Sequence, residues 1–344
     1  MTKHTYELNN LPDDVKDLFL YSHHANVRSL EEHRQKVKES KFLKPDNDDL
    51  FGAFADGNKL EKPEPKFTQS RVIWGTDNYE SKGASYKFSK NVNDLSIIVP
   101  RVDKSKAEQK KRSKEKAEVF TPSWVCNVQN NLIDDHVLYE GAFNTVSKDQ
   151  KSWVPSKGPV KFDKDVSWLD YVLQRRIEFT CGEGPYLMSP YDTTTGVGIP
   201  VRDKNGLFQR IGILDRKLRV VSENVSDESW FEYALLAMAS TFGYEWQGDN
   251  LLLARLNFLN TFIEYYVEFF GEAPELDKIV DVAEIAAWNL WQMDGLKMIQ
   301  PLSCKDDCVA CKKKSRTGHN GKVSTIRFLT ANGFRYLNFE DLLV

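Results

Sequence analysis

The sequence predicts an α/β domain that contains a mostly parallel, doubly wound sheet. Three strand-like runs support this prediction: one begins at Ile177 and runs into a glycine turn, one ends at Glu245 and one precedes Asp294. Helical patterns separate these runs, and those at 251–270 and 279–291 are strongly apolar. Strands that alternate with helices in this way are typical of βαβ units, in which successive strands run parallel to one another.

A tight turn with two glycines follows the first strand. The segment Cys181-Gly182-Glu183-Gly184 lets the backbone approach a ligand closely, because glycine has no Cβ atom. In an open parallel sheet, ligands bind beyond the carboxyl ends of the strands, where an acid after the second strand accepts both hydroxyls of a ribose. Glu245 occupies that position. An ordinary turn is the alternative interpretation of the two glycines.

Two further segments complete this pattern. Phe120-Thr121-Pro122 precedes the glycine turn, and Trp246 directly follows the acid of the second strand. Together with the turn and Asp294, they resemble the adenine-N6 DNA methyltransferases of restriction-modification systems, in particular the modification-subunit branch. The resemblance extends over roughly residues 117–298, about half of the chain.

The resemblance implies a Rossmann-like S-adenosylmethionine-dependent methyltransferase domain. In that family the corresponding segments enclose the cofactor, with the first acid on the ribose and the later Asp on the adenine amino group. The methionine carboxylate and the sulfonium lie against the glycine turn and the Phe-Thr-Pro segment. The cofactor-binding residues implied for this chain are Phe120, Thr121, Pro122, Cys181, Gly182, Glu183, Gly184, Glu245, Trp246 and Asp294.

The chain departs from the family in its catalytic half. The family carries an Asp- or Asn-Pro-Pro-Tyr element that holds the target amino group and stacks on the extruded base. No two prolines are adjacent in this sequence. The polar loop after the glycine turn is then the candidate catalytic surface, with Tyr191 stacking on a base and Asp192 or Asp215 accepting a proton or an amino hydrogen. An Asp-capped turn or a helix start is the alternative for each.

Three hypotheses about function follow from these features. The first is an S-adenosylmethionine-dependent DNA methyltransferase, adenine-N6 in specificity, of a restriction-modification or phage-defence system. The second is a catalytically silent subunit that binds S-adenosylmethionine and recognises DNA or regulates such a system, as the missing Pro-Pro-Tyr element suggests. The third retains the cofactor and DNA but places the chemistry on a nonstandard loop around Tyr191 and Asp192. DNA is the expected partner, together with a restriction or specificity subunit.

A run of cations precedes the Phe-Thr-Pro segment. The whole chain has a net charge of −3, which argues against a uniformly basic nucleic-acid-binding protein but not against a local basic face. Residues 101–116 are dense in Lys and Arg and adjoin the proposed cofactor segment. The residues expected to contact DNA phosphates are Lys110, Lys111, Arg112 and Lys114. A solvated helix or loop is the alternative interpretation.

Three cysteines and a histidine cluster near the C-terminus. Cys304, Cys308, Cys311 and His319 have the short spacings of a tetrahedral zinc site, in which thiolates and an imidazole close a loop around the ion. We therefore expect a structural zinc that stabilises this core-poor segment. Free thiols on a loop are the alternative.

The expected organisation is a helical and mixed accessory region at 1–116, a methyltransferase-like domain at 117–300 and a zinc-binding segment at 301–344. A helix start is predicted within Asn10-Leu11-Pro12-Asp13-Asp14, a second, charged helix from Ser29, and a loop at 45–70. No stretch approaches the roughly 18 apolar residues of a membrane span. The first residues do not resemble a secretory signal, and five cysteines fit a reducing compartment, so a cytoplasmic protein without membrane partners is expected.

Overall fold

The computed structural model describes residues 4–25, 67–75, 79–81, 84–86, 90–149, 151–163, 165–226, 228–330 and 333–342. The helices are α1 (Asp13–Phe19), α2 (Lys106–Lys116), α3 (Ser123–Asp134), α4 (Trp168–Leu173), α5 (Ile213–Asn224), α6 (Trp230–Ala239), α7 (Gly248–Phe270), α8 (Leu276–Asn289) and α9 (Val309–Lys313). The strands are β1 (Tyr21–Ala25), β2 (Phe67–Arg71), β3 (Tyr79–Ser81), β4 (Ala84–Tyr86), β5 (Asn144–Val146), β6 (Trp153–Pro155), β7 (Arg176–Phe179), β8 (Thr241–Glu245), β9 (Leu290–Gln292), β10 (Thr325–Thr330) and β11 (Gly333–Asn338).

Three parallel strands form the sheet on which the site is built. Their order is β7-β8-β9, with Phe179 beside Tyr244 and Glu245 beside Gln292. Helices α5 and α6 connect β7 to β8, and α7 and α8 connect β8 to β9. The predicted α/β class with a parallel sheet is therefore confirmed, whereas a complete doubly wound, Rossmann-like sheet stays a prediction.

Helix α7 starts immediately beyond the carboxyl end of β8 and forms the centre of the core. Its residues from Gly248 to Tyr266 are buried. A Cβ atom at Gly248 would lie 2.1 Å from the Ile73 carbonyl oxygen, so only glycine permits this close approach. The helix ends at Gly271, which adopts φ +78° in the left-handed region, as is typical of helix C-termini.

The N-terminal region packs into the same core. Leu11, Val15 and Phe19 belong to the hydrophobic cluster that also contains Ile263 of α7 and Val282 of α8. The predicted helix start is confirmed, since α1 begins at Asp13. The predicted helix from Ser29 lies outside the described residues, as does the predicted loop up to residue 66, and 67–70 belong to β2.

A β-hairpin covers the other face of the sheet. Strands β10 and β11 pair antiparallel, and Phe328 packs against Phe242 with the ring centroids 5.4 Å apart. Phe339, just after β11, packs against Tyr244 at 5.6 Å. Strand β7 lies at the sheet edge, where the side chain of Phe179 remains 57% exposed.

Candidate functional site

A cavity of about 610 Å³ opens at the carboxyl ends of β7 and β8. Its volume lies within the range of small-molecule sites, which is roughly 300–1,000 Å³. Three segments that are far apart in the sequence meet at its wall: the residues before α3, the glycine turn after β7 and the end of β8. The predicted cofactor-binding residues that line the cavity are Phe120, Thr121, Cys181, Gly182, Glu245 and Trp246.

The carboxylate of Glu245 joins two of these segments. Its Oε2 accepts a hydrogen bond from the Gly182 amide at 2.9 Å, and its Oε1 accepts one from the Gln247 amide, also at 2.9 Å. Burial raises the pKa of Glu245 to about 7, although both amide hydrogen bonds act in the opposite direction. The carboxyl group of Glu245, at the end of its strand, is thus held in place with little access to water.

Glu178 is a second carboxylate in the same cavity, and it was not identified from the sequence. Its Oε2 accepts a hydrogen bond from the Leu187 amide at 3.3 Å. Burial raises its pKa well above the ordinary value, and the nearby Glu245 contributes in the same direction. The signal that could have identified Glu178 is the alternation of side chains between the two faces of β7. Ile177 and Phe179 lie towards the hairpin, so Glu178 points to the opposite face.

The two glycines of the turn have different roles. Both adopt positive φ, +57° at Gly182 and +79° at Gly184. A Cβ atom at Gly182 would lie 3.6 Å from the Phe120 ring, on the cavity wall, whereas one at Gly184 would lie 2.5 Å from Cε of Met188. Gly182 therefore shapes the cavity, and Gly184 permits packing behind it.

Four predicted cofactor residues do not line the cavity. Pro122 and Gly184 lie behind its wall, the first as the N-cap residue of α3. Glu183 is buried and accepts hydrogen bonds from the Arg101 amide at 2.7 Å and the Tyr191 hydroxyl at 2.6 Å. Asp294 accepts hydrogen bonds from backbone amides within its own turn, at 3.0 and 3.1 Å.

Tyr191 belongs to a different cavity from the one that holds Glu245. This second cavity, of about 830 Å³, is lined by Tyr191, Arg210 and Glu264 among others, and it shares no lining residue with the first. The Tyr191 hydroxyl donates to Glu183 and accepts a hydrogen bond from Asn257 Nδ2 at 3.2 Å. The structure thus gives Tyr191 a bridging role inside the protein and does not place it against the predicted cofactor site.

Asp192 and Asp215 form hydrogen bonds within the protein. Asp192 accepts hydrogen bonds from the amides of Ser123 and Thr194, at 2.7 and 2.9 Å, and thereby caps the start of α3. Burial alone would raise its pKa, but these hydrogen bonds outweigh burial and lower the pKa to about 2. Asp215 is fully buried, lines neither cavity and binds the Ser189 amide at 2.8 Å. The alternatives of a capped turn and a helix start describe both residues.

The basic run forms α2, and one of its predicted DNA contacts is internal. Lys110, Lys111 and Lys114 are exposed, but Arg112 is buried. Its Nε donates to Glu118 at 2.7 Å, and one terminal nitrogen pairs with Asp249 at 2.9 Å. Arg112 is therefore unavailable to phosphates, because it neutralises two buried carboxylates.

This buried ion network positions one wall of the cavity. Lys104 Nζ also pairs with Asp249, at 2.9 Å, and Asn250 Nδ2 donates to Glu118 at 3.1 Å. Two cations from the basic run are thereby tied to the first turn of α7. The segment 116–121, which contributes to the cavity wall, leaves α2 from this fixed point.

The predicted metal-ligand residues converge at the C-terminal segment. The ligand atoms of Cys304, Cys308, Cys311 and His319 all lie within 4.8 Å of one another, so the group can hold a metal ion. His319 Nδ1 lies 3.5 Å from the sulfur atoms of Cys304 and Cys311 and 3.6 Å from that of Cys308. Bond lengths of about 2.3 Å to sulfur and about 2.0 Å to nitrogen, at tetrahedral angles, separate ligand atoms by about 3.6 Å.

A backbone carbonyl orients the histidine of this cluster. His319 Nε2 lies 3.0 Å from the Ser315 carbonyl oxygen, which can only accept a hydrogen bond. Nε2 therefore carries the proton, and Nδ1 presents its lone pair to the three sulfur atoms. Such a second contact is typical of metal-binding histidines. The geometry thus fits a single tetrahedral ion.

Comparisons with known proteins give no identification: no family model, no curated protein and no solved structure matches this chain. Among the described residues, no helix combines the length and apolar character needed to cross a membrane.

Proposed function

We propose that this chain binds S-adenosylmethionine in the cavity at the ends of β7 and β8 and transfers its methyl group to an adenine amino group of DNA. The proposal is supported above all by one observation: a buried carboxylate, Glu245, and a half-buried one, Glu178, line a cavity of about 610 Å³ together with Phe120 and Gly182. The resemblance to adenine-N6 DNA methyltransferases provides the reaction.

The charge of the cavity favours a cationic nucleoside. Lys116 is the only Lys or Arg among its described lining residues, which include Glu118, Glu178 and Glu245, and Glu118 is already paired with Arg112. A ligand with a sulfonium and an ammonium group would offset the electrostatic cost of the remaining two carboxylates. Glu245 lies at the strand end from which a carboxylate accepts ribose hydroxyls.

The side chains at the mouth of the cavity are suited to a flat ring. Phe179 and Tyr186 both line the cavity, and Phe179 is largely exposed. An extruded base needs aromatic surfaces of this kind on which to stack. The sulfonium supplies an electrophilic methyl group, so the chain mainly has to align the amino nitrogen, and it needs no strong base.

Binding of the cofactor is tested by equilibrium dialysis of the full chain with S-adenosylmethionine and, separately, with S-adenosylhomocysteine. We expect saturable binding that is tighter for the sulfonium form and is lost or strongly weakened in E245Q and E178Q. Glu272, which is exposed and does not line the cavity, provides the matched control E272Q. Equal binding by E245Q, E178Q and E272Q would exclude this cavity as the site.

A catalytically silent cofactor-binding subunit of a DNA-modification system is the second candidate. It is favoured by the absence of adjacent prolines, by the burial of Asp215 and by the hydrogen bonds that Tyr191 and Asp192 form within the protein. This candidate predicts the same cofactor binding but no methyl transfer by the chain alone, with transfer appearing only when a catalytic partner is added.

We further propose that the ion of the Cys304, Cys308, Cys311 and His319 cluster is a structural zinc. Three thiolates and one imidazole are a typical closed zinc set, with no position left for a substrate. Elemental analysis of the purified chain should give one zinc per chain. The variant C308S should retain little of it, whereas C126S, at a buried cysteine outside the cluster, should retain it all.

A further inference from the structure

The loop closed by the metal cluster carries a group of exposed cations. Its exposed positive side chains are Lys305, Lys312, Lys313, Lys314 and Arg316. The described ion pairs include none of these five residues. The loop contains two aspartates, Asp306 and Asp307, and Asp307 accepts a hydrogen bond from Asn320.

Several arginines elsewhere in the chain are used differently. Arg112, Arg216 and Arg210 are buried, and each forms an ion pair with a buried carboxylate. The protein as a whole is slightly acidic, with a net charge of −3. Exposed positive charge in the loop therefore contrasts with the internal pairing of these arginines.

The metal cluster fixes these cations relative to one another. Helix α9 begins after the ligand Cys308, contains the ligand Cys311 and ends at Lys313, and the next residue, Lys314, adopts φ +53°. Lys312 and Lys313 occupy its last turn. A closed metal site in a short segment removes most of its conformational freedom, so less entropy is lost when the cations bind a partner.

The segment that leads to the loop leaves the sheet at the carboxyl end of β9, and the proposed cofactor cavity opens at the carboxyl ends of β7 and β8. The chain passes from the carboxyl end of β9 into the turn at Asp294, whose amide donates to the Ile299 carbonyl at 2.8 Å. Within this turn, a Cβ atom at Gly295 would lie 2.5 Å from the Tyr244 hydroxyl oxygen, so the turn packs directly on β8. The turn that precedes the loop therefore lies at the end of the sheet that also holds Glu245.

We propose that the metal-closed loop 304–319 contacts the sugar-phosphate backbone of duplex DNA through Lys312, Lys313, Lys314 and Arg316. Fixed, exposed cations are the groups that neutralise phosphates and release their counterions. The identity of the partner as DNA rests on the proposed function, whereas the position of the contact rests on the loop itself.

The test measures binding of the full chain, loaded with zinc, to a fluorescent duplex of mixed sequence by anisotropy at several NaCl concentrations. The triple variant K312A/K313A/K314A should bind at least about tenfold more weakly at low salt. The slope of the logarithm of the association constant against the logarithm of the salt concentration is negative, and its magnitude should decrease by about three. The control K148A/K151A/K157A removes three exposed lysines from another surface and should bind as the wild type does. Zinc content and circular dichroism of each variant exclude unfolding as the cause.

The outcomes separate this proposal from the proposed function. An unchanged affinity and salt slope in the triple variant would overturn the loop contact, even if the protein methylates DNA. Wild-type DNA binding that depends on the loop, without any binding of S-adenosylmethionine, would support the contact and contradict the methyltransferase. Absence of duplex binding by the wild type, or displacement of the duplex by single-stranded RNA at much lower concentration, would overturn DNA as the partner.

Discussion

The carboxylate of Glu245 accepts the amide hydrogen of Gly182 at 2.9 Å, across the ends of two neighbouring parallel strands. The contact joins the acid of β8 to the turn after β7, and both residues line the same cavity. The position of the acid relative to the glycine turn is thus fixed before any ligand is present. The proposed binding of S-adenosylmethionine depends on this arrangement.

The stability of the ligand-free protein should depend on the protonation of Glu245. Its pKa is raised from 4.5 to about 7 by burial, so the folded state binds more protons than the unfolded state within this window. The contribution of this group to stability is therefore present below pH 4.5 and is lost as pH rises to 7, on the order of 3 kcal/mol. Urea denaturation from pH 5 to 8 should give a flatter profile for E245Q than for the wild type. Identical profiles would show that Glu245 ionises normally.

Ligand affinity should show the opposite dependence. Because deprotonated Glu245 attracts a cation, S-adenosylmethionine should bind more tightly at pH 8 than at pH 6. E245Q should bind about 10- to 100-fold more weakly than the wild type at pH 8, with little dependence on pH, since a hydrogen bond to a charged group is lost. Calorimetric titrations at pH 6, 7 and 8 provide the comparison. A wild-type affinity that falls with rising pH would contradict an attraction between deprotonated Glu245 and the cationic groups of S-adenosylmethionine.

Removal of Arg112 should be strongly destabilising. R112A leaves the carboxylates of Glu118 and Asp249 buried, with Lys104 as the one remaining cation partner of Asp249 among the described ion pairs. We expect a loss of about 3–5 kcal/mol in the free energy of unfolding. K111A, at the exposed neighbouring position, should change stability by less than about 0.5 kcal/mol. Chemical denaturation of both variants tests this, and similar stabilities would mean that the ion network contributes little.

The two candidate aromatic positions should respond differently to substitution. Y191F removes a hydroxyl that hydrogen-bonds to Glu183, and a cost of about 1–3 kcal/mol in stability is expected with methyl transfer retained. F179A removes a ring at the cavity mouth and should lower kcat/KM for DNA about tenfold or more, because base stacking contributes roughly 1–3 kcal/mol. Steady-state kinetics of the two variants show which of the two aromatic residues contributes to methyl transfer. Loss of activity in Y191F at unchanged stability would show that Tyr191 acts at the site of methyl transfer.

Removal of the metal should have a local effect. Chelation is expected to release residues 304–319. Helix α7 and strand β8 should stay protected, because the hydrophobic clusters to which they belong contain no residue of 304–319. Amide hydrogen exchange with and without chelator reports both regions in one experiment. A global loss of protection would mean that the cluster stabilises the whole fold, and an unchanged loop would mean that it holds no ion in solution.

Several features were accessible from the sequence because they depend on local patterns. The glycine turn, the acid at Glu245 and the parallel strand-helix rhythm follow from spacing and periodicity, and the structure places the first two together. The spacing of Cys304, Cys308, Cys311 and His319 likewise predicted a cluster that the fold forms.

Other features depend on which way a side chain points, and a one-dimensional pattern does not show this. Tyr191 and Asp192 are polar residues on a loop, yet contacts with Asn257 and Ser123, distant in the sequence, hold them within the protein. Arg112 lies within a basic run, but the first turn of α7, more than a hundred residues later, supplies its carboxylate partner Asp249. Glu178 was missed because its importance follows from a cavity that only the folded chain creates.

The central claim is methyl transfer from S-adenosylmethionine to DNA by this chain. The most direct measurement incubates the purified, zinc-loaded protein with methyl-labelled S-adenosylmethionine and mixed-sequence duplex DNA, then digests the DNA to nucleosides for mass analysis. We predict label in N6-methyladenine for the wild type and for E272Q, and much less for E245Q at a concentration of S-adenosylmethionine below saturation. Absence of label in the wild type, in a sample that binds S-adenosylmethionine tightly, would contradict catalysis by this chain alone.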